Sequence, residues 1–391
     1  MEIYHQLGYR YKWNLQSLAD DATGDGVIIG PRHMKQEVVE KLPASVRAQA
    51  IFDPQFFLPG TPLGSLLDYG FFPAVLAGGF DTTGYETATA KASADSCVDF
   101  QLHNNFRYVI IPTRYCDGTP SSFVAQQTEF TVQPFLEAIS VRQPNKPVLL
   151  QLILNSTMLK DTAFTDQLLN WVTGIDELNG VYIIVQDNRN SKQIKDPMHL
   201  LNLLGIVHAL RCNELEVVLG YLNTEALVLS LADPNVVTIG SYERTRMFNS
   251  TNFSDDDTGG GPPNARLYFR KLLQWIEHPY VGALQAVPAL APLFDHNHYN
   301  AAMFVPTYKW HFSKPELYKH YFLEMTEQLR HVGQVHGKAR YERLSTMITE
   351  ASLWYTTLKE AGIVLENTEN DGSHLPAWQT AANLFAKKMG W

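Results

Sequence analysis

The sequence predicts a (β/α)8 TIM barrel with a C-terminal helical extension. Three observations predict it. Short apolar runs alternate with amphipathic helical stretches from Val27 to Val287, the rhythm of a parallel sheet with helices outside it. Runs such as Val148 to Leu154 are apolar at nearly every position, as strands covered on both faces are. No GxGxxG follows a strand and no GxxxxGK[ST] occurs, which removes the commonest signatures of open nucleotide-binding sheets.

The elements follow in order. After a polar N-terminal segment, Val27 to Gly30 is the candidate first strand, and Gln36 to Arg47 carries helical spacing. Ala50-Ile51-Phe52 is a second strand. Pro54 cannot donate to a ladder and pushes Asp53 towards extended geometry, so the strand ends there. Residues 59–105 hold several Gly and Pro, an aromatic cluster and a small-residue helical stretch. That is too long for an ordinary βα connection and reads as a lid-like insertion or a packed surface excursion. The period then returns, with strands at 106–112, 148–154, 181–185, 216–222 and 236–239. Helices at 123–141, 159–172, 199–211 and 224–231 separate them. A helix over 266–277 and an eighth strand over 283–287 would close the barrel. The barrel is expected over residues 1–310, and a helical region packed on or beside it over 311–391.

Composition narrows the class. The 391 residues, 45% hydrophobic and 18% charged, are those of a globular chain. Cys97, Cys116 and Cys212 are scattered and odd in number, which fits a reducing compartment and a cytoplasmic protein. No run reaches the ~20 apolar residues of a membrane span, so no membrane partner is expected. The net charge of −9 argues against a uniformly basic nucleic-acid binder but leaves room for a local basic groove. Between Tyr308 and Arg343, seven Lys or Arg stand against four Glu, interleaved with aromatics. That stretch reads either as a helical cap on the barrel or as a surface for phosphates and bases.

Active sites of such barrels lie at the carboxyl ends of the strands. The residues expected there are Arg32, His33, Asp53, Gln55, Arg114, Asp117, Gln151, Asn155, Asp187, Asn188, Tyr221, Asn223, Ser241, Tyr242, Glu243 and Arg244, with Asp295 and His296 after the expected eighth strand. Asn and Gln pair a donor with an acceptor, matching a nucleobase edge, and aromatics at the mouth suit an extruded base. No metal is expected: His296 and His298 lack a third ligand by spacing. No GxSxG elbow is present for a Ser-His-Asp triad, and no cofactor is implied.

Four of the strand ends resemble those of tRNA-guanine transglycosylases. They are Phe52-Asp53-Pro54-Gln55-Phe56, Leu150 to Asn155, Leu219 to Leu227, and Val236 to Arg246 with its Thr245-Arg246 ending, in the family's order. The family's nucleophilic Asp falls near Gly240, which has no carboxylate, and its Cys/His zinc site is absent. The resemblance therefore implies a base-releasing barrel: a DNA glycosylase acting on a modified base, in defence against phage DNA. A tRNA or DNA base-exchange transglycosylase is the nearest alternative. A small-molecule hydrolase or a non-catalytic binding scaffold are the others.

Cleavage of an N-glycosidic bond passes through an oxocarbenium-like sugar, which a carboxylate stabilises or hands to water. Asp53 is the expected carboxylate, with Glu243 or Asp187 as the second. Gln151, Asn155 and Asn188 would read the base; Phe56, Phe57 or Tyr242 would stack on it; Gln55, Arg114, Tyr221 and Arg244 would complete the substrate contacts.

Overall fold

The computed structural model describes residues 1–391 except 62, 77–86, 188–191, 255–262 and 295. Eight parallel strands build its centre: β1 (Glu2–Gln6), β2 (Gly26–Ile29), β3 (Ile51–Phe52), β4 (Val109–Ile111), β5 (Val148–Asn155), β6 (Gly180–Gln186), β7 (Glu216–Leu219) and β8 (Val236–Gly240). They are ordered β3-β2-β1-β8-β7-β6-β5-β4. The two edges meet where the Arg107 N–H donates to the Ala50 carbonyl at 2.9 Å. The sheet thus nearly closes on itself, and with helices outside it is a (β/α)8 barrel.

Two sequence expectations are corrected here. The strand that completes the barrel is β1, at the N-terminus, where Tyr4 lies level with Gly26 of β2 and Thr238 of β8. Residues 283–287 instead end the helix His278–Gln285 and the turn after it. The expected helix over 266–277 is an antiparallel hairpin, β9 (Arg266–Phe269) and β10 (Gln274–Glu277). Leu273 takes the left-handed turn position, with φ 51°.

β1 escapes a reading by hydropathy because half of it is polar. Its buried polar side chains nevertheless find partners, Gln6 through its oxygen. His5 Nδ1 faces Asn14 Nδ2 at 3.1 Å, and Gln6 Oε1 accepts from the Tyr182 hydroxyl at 3.4 Å. Burial lowers the His5 pKa to about 4, so the ring is neutral against Phe322.

The helices lie outside. Asn155, Asp161 and Asp196 cap Ser156–Lys160, Thr162–Thr173 and Pro197–Cys212 with side-chain acceptors, each satisfying amides that the first helical turn leaves open. In the 59–105 stretch, helix Thr87–His103 packs on helix Gln133–Arg142 and on β4. Its Gln101 bonds both the N–H and the carbonyl of Ile110. That half of the stretch is therefore the layer helix between β3 and β4.

The C-terminal helices also belong to the body. Helix Pro315–Gly333 buries Tyr318, Tyr321, Phe322 and Met325 and packs on helix Tyr11–Asp21 and β9. Helix Leu375–Met389 packs on Pro197–Cys212 and on Gly337–Glu360. Arg340 is 1% exposed and pairs with Asp233 at 2.9 Å. Most of these inward residues are engaged by the body of the protein, as a helical cap on the barrel would be. No helix among the described residues is long and apolar enough to cross a membrane.

Candidate active site

Alternation along β3 turns Ile51 and Asp53 into the barrel and Phe52 into the helical layer. Asp53 is fully buried on the barrel axis. Its Oδ1 accepts from Gln151 Nε2 at 2.7 Å and from the Gln55 N–H at 3.0 Å; Oδ2 accepts from the Tyr182 hydroxyl at 3.3 Å. Burial pushes its carboxyl up to about 7, although all three donors pull it down. Gln55 and Tyr221 have positive φ, 58° and 55°, and bond each other through Gln55 Nε2 and the Tyr221 hydroxyl at 3.1 Å. Backbone strain of this kind concentrates where function over-determines geometry.

Asp53 stands at the carboxyl end of β3, but that end is closed over. Phe57 packs edge to face on Phe248 and Phe253, with ring centroids 4.9 and 4.7 Å away; those two stack on each other, and Tyr221 packs on Phe248. These rings belong to the same buried cluster as the barrel interior. The Asp53 carboxylate beneath them is 0% exposed.

Other expected residues fall into three groups. Phe56 faces outward, packed on Phe71, Phe72 and Phe135, so it cannot stack on a ligand inside the barrel. Asn155 is held as a helix cap, its amide donating to the Cys116 and Gly118 carbonyls, so its edge is not offered to a base. The Arg114 backbone is clasped by Gln127, and its guanidinium lies over Phe130. Asp187 accepts from Ser156 at 3.4 Å, near His199. Asn188 and Asp295 lie outside the described residues.

The third group, Tyr242, Glu243 and Arg244, lines a cavity of about 800 Å³. The loop after β1 supplies Tyr9 and Arg10, the loop after β2 Arg32 and His33, and the loop after β8 residues 242–246. The hairpin supplies Arg266 and Trp275; Phe312 and Tyr318 complete the wall. Sequence reasoning missed Arg10 because it missed β1. It missed Arg266 and Trp275 because it read the hairpin as a helix; the apolar runs Leu267-Tyr268-Phe269 and Leu272-Leu273 flanking Arg270 and Lys271 were the available signal.

The cavity is cationic. Burial, then Arg32 and Arg244, lower the His33 pKa to about 4. Glu243 is the carboxylate among the described lining residues. Burial pushes it up, but Lys192, Arg246 and Arg266 outweigh burial and hold it below the usual carboxylate range. Lys192 pairs with it directly and Arg266 at 3.3 Å. Arg266 also pairs with Glu277 at 3.0 Å and with Glu369. Gly240 leaves no room for a side chain: a Cβ there would sit 2.6 Å from the Thr245 carbonyl oxygen. No group of three or more His, Cys, Asp or Glu among the described residues is placed to hold a metal ion.

No family model matches the chain, and no curated protein matches it. Among solved structures, it is similar to a dihydrodipicolinate synthase from Oceanobacillus iheyensis, at 10% identity and a TM-score of 0.35, over 98% of this chain and 96% of that one.

Proposed function

We propose that the chain is a base-releasing barrel enzyme, and that the arginine-lined cavity holds a phosphate-bearing nucleoside unit while its N-glycosidic bond is cleaved. One observation carries the reading. At the strand-end face, loops after β1, β2 and β8 bring Arg10, Arg32, Arg244 and Arg246 together with the rings of Tyr242, Trp275 and Tyr318 around about 800 Å³. Cations beside aromatic faces suit a ligand that is anionic at one end and planar at the other. The resemblance of the strand ends to tRNA-guanine transglycosylases supports the same class.

Glu243 is the carboxylate assigned to the sugar. It is held ionised, and a fixed negative charge beside the anomeric carbon stabilises the oxocarbenium-like transition state. With no carboxylate at Gly240, water is the acceptor and the base is released rather than exchanged. The test is incubation with unmodified and modified-base DNA and with free nucleotides, with mass spectrometry for released base. Glu243→Gln is expected to lower release by about 100-fold or more. Binding without release from any substrate would leave only a nucleotide-binding scaffold.

A second reading keeps Asp53 as the reacting carboxylate. The raised pKa and the strained pair Gln55 and Tyr221 favour it, and it requires the Phe57, Phe248 and Phe253 rings to part. Asp53→Asn and Glu243→Gln, assayed side by side, separate the two.

A further inference from the structure

We infer that His33 belongs to the anion-binding wall of this cavity and takes up a proton when an oxyanion binds there. The inference rests on the reading above, in which the cavity holds a phosphate-bearing unit, and names a residue and a proton by which that anionic end is recognised.

Three loops meet at His33. It stands in the loop after β2 and lines the cavity half-buried. The loop after β1 passes close beside its ring: a Cβ on Gly8 would stand 4.0 Å from His33 Cδ2 and 2.5 Å from Thr245 Cγ2. Glycine there lets the loops after β1, β2 and β8 close together. Arg32 on its own loop and Arg244 after β8 act on the ring directly, and both disfavour its charged form. Arg10 joins them in the lining from the loop after β1, beside Tyr9. Other charges around the ring are held elsewhere. Lys35, further along its loop, faces Asp68 at 4.0 Å. Glu243 is engaged by Lys192 and Arg266. Arg246 lies over Trp275, and His311 is bonded to Ser313 at 2.6 Å. Burial raises the Tyr242 hydroxyl above its ordinary pKa, so it stays neutral.

The ring is therefore an imidazole facing a cavity wall of arginines. Burial, Arg32 and Arg244 keep it neutral, and no hydrogen bond to the described residues counters them. An oxyanion lodged among Arg10, Arg32 and Arg244 changes that balance. Its charge offsets theirs at the ring and favours imidazolium, whose N–H then donates a charge-assisted bond to the anion. The arginines act here by charge and nearness and need no open donor. Proton uptake on binding makes affinity rise as pH falls. The rise begins near the pKa of the ring in the complex and ends near 4, where the free ring is itself protonated. Glu243, held below the usual carboxylate range, would take up a proton only at lower pH.

Sulfate is the probe, because it stays a dianion across the pH range used. The full chain is titrated with sulfate by calorimetry at about pH 7.5, 6.5 and 5.5. Affinity is expected to rise about tenfold from the highest of these to the lowest, as for a ring whose pKa returns to about 6.5 in the complex. At the middle pH, buffers of different ionisation enthalpy should report about half a proton taken up per sulfate. His33→Gln is expected to keep part of the binding and to lose both the rise and the proton. Glu243→Gln is expected to keep both, which assigns the proton to the ring. Equal sulfate affinity at all three pH values in the unaltered chain overturns the inference, whether or not His33→Gln folds. So does a rise that survives His33→Gln, and so does an absence of sulfate binding throughout. Base release from nucleotide or DNA substrates in any of those cases would leave the base-releasing reading intact. Proton-linked sulfate binding without any base release would do the opposite.

Discussion

The side-chain amide of Gln151 reaches across the barrel to Asp53, its Nε2 donating to Oδ1 at 2.7 Å. This contact joins the end of β3 to the middle of β5 and lies below a lid of aromatic rings. It makes the barrel axis polar where most of its neighbours are apolar.

The first prediction concerns pH. Asp53 has its folded pKa raised from 3.8 to about 7. Between those values the folded chain holds a proton that the unfolded chain has lost. The contribution to stability is therefore fully present below the unfolded pKa and is lost as pH rises towards 7. At about 1.4 kcal/mol per unit, the loss is on the order of 4 kcal/mol. Denaturant midpoints measured from pH 4 to 8 should fall more steeply for the unaltered chain than for Asp53→Asn. Parallel curves would show that the carboxyl is ionised throughout.

The second concerns the ring cluster. Phe253 is 5% exposed and packs on Phe57 and Phe248. Phe253→Ala should destabilise by about 3 kcal/mol, within the range for a truncated core ring. It should also admit water to Asp53 and shrink the pH slope just described. Stability loss with an unchanged slope would mean that the remaining rings still exclude water.

The third concerns Arg266, whose side chain is 13% exposed and faces Glu243, Glu277 and Glu369. Arg266→Met leaves three carboxylates without their shared cation. Breaking a buried pair from one side costs about 3–5 kcal/mol, and urea unfolding should report a loss of that size. Because Arg266 helps hold Glu243 ionised, base release should also weaken and its acid limb should move to higher pH.

The fourth concerns β1. It lies between β2 and β8, bonded to both, so it is an inner strand of the sheet. Removing residues 1–7 should leave two unpaired strand edges and a chain without a cooperative unfolding transition, as read by circular dichroism. A truncated chain with a sharp transition would show that β2 and β8 can pair directly.

How legible the site was depended on which strands were legible. β5 and β6 bury both faces, so Val148 to Leu154 and Val181 to Val185 announce themselves as apolar runs. Asp53 was legible as a strand end because Pro54 stops the ladder. That it would be roofed over was not, since Phe248 and Phe253 lie about 200 residues away along the chain. Glu243 and Arg244 were found because they follow β8 directly. Arg246 was visible in the Thr-Arg ending, but not its place over Trp275.

The sequence by itself determined the parallel barrel, the order of most of its strands and the set of polar residues at their ends. Local apolar period and turn chemistry act between neighbours, and neighbours are what a sequence displays. Only the tertiary structure decided that the polar strand Glu2–Gln6 completes the sheet, that Asp53 is enclosed, and that arginines from three loops and a hairpin share one cavity. Those outcomes depend on partners distant along the chain, and on burial that turns an ordinary carboxyl or guanidinium into a perturbed one.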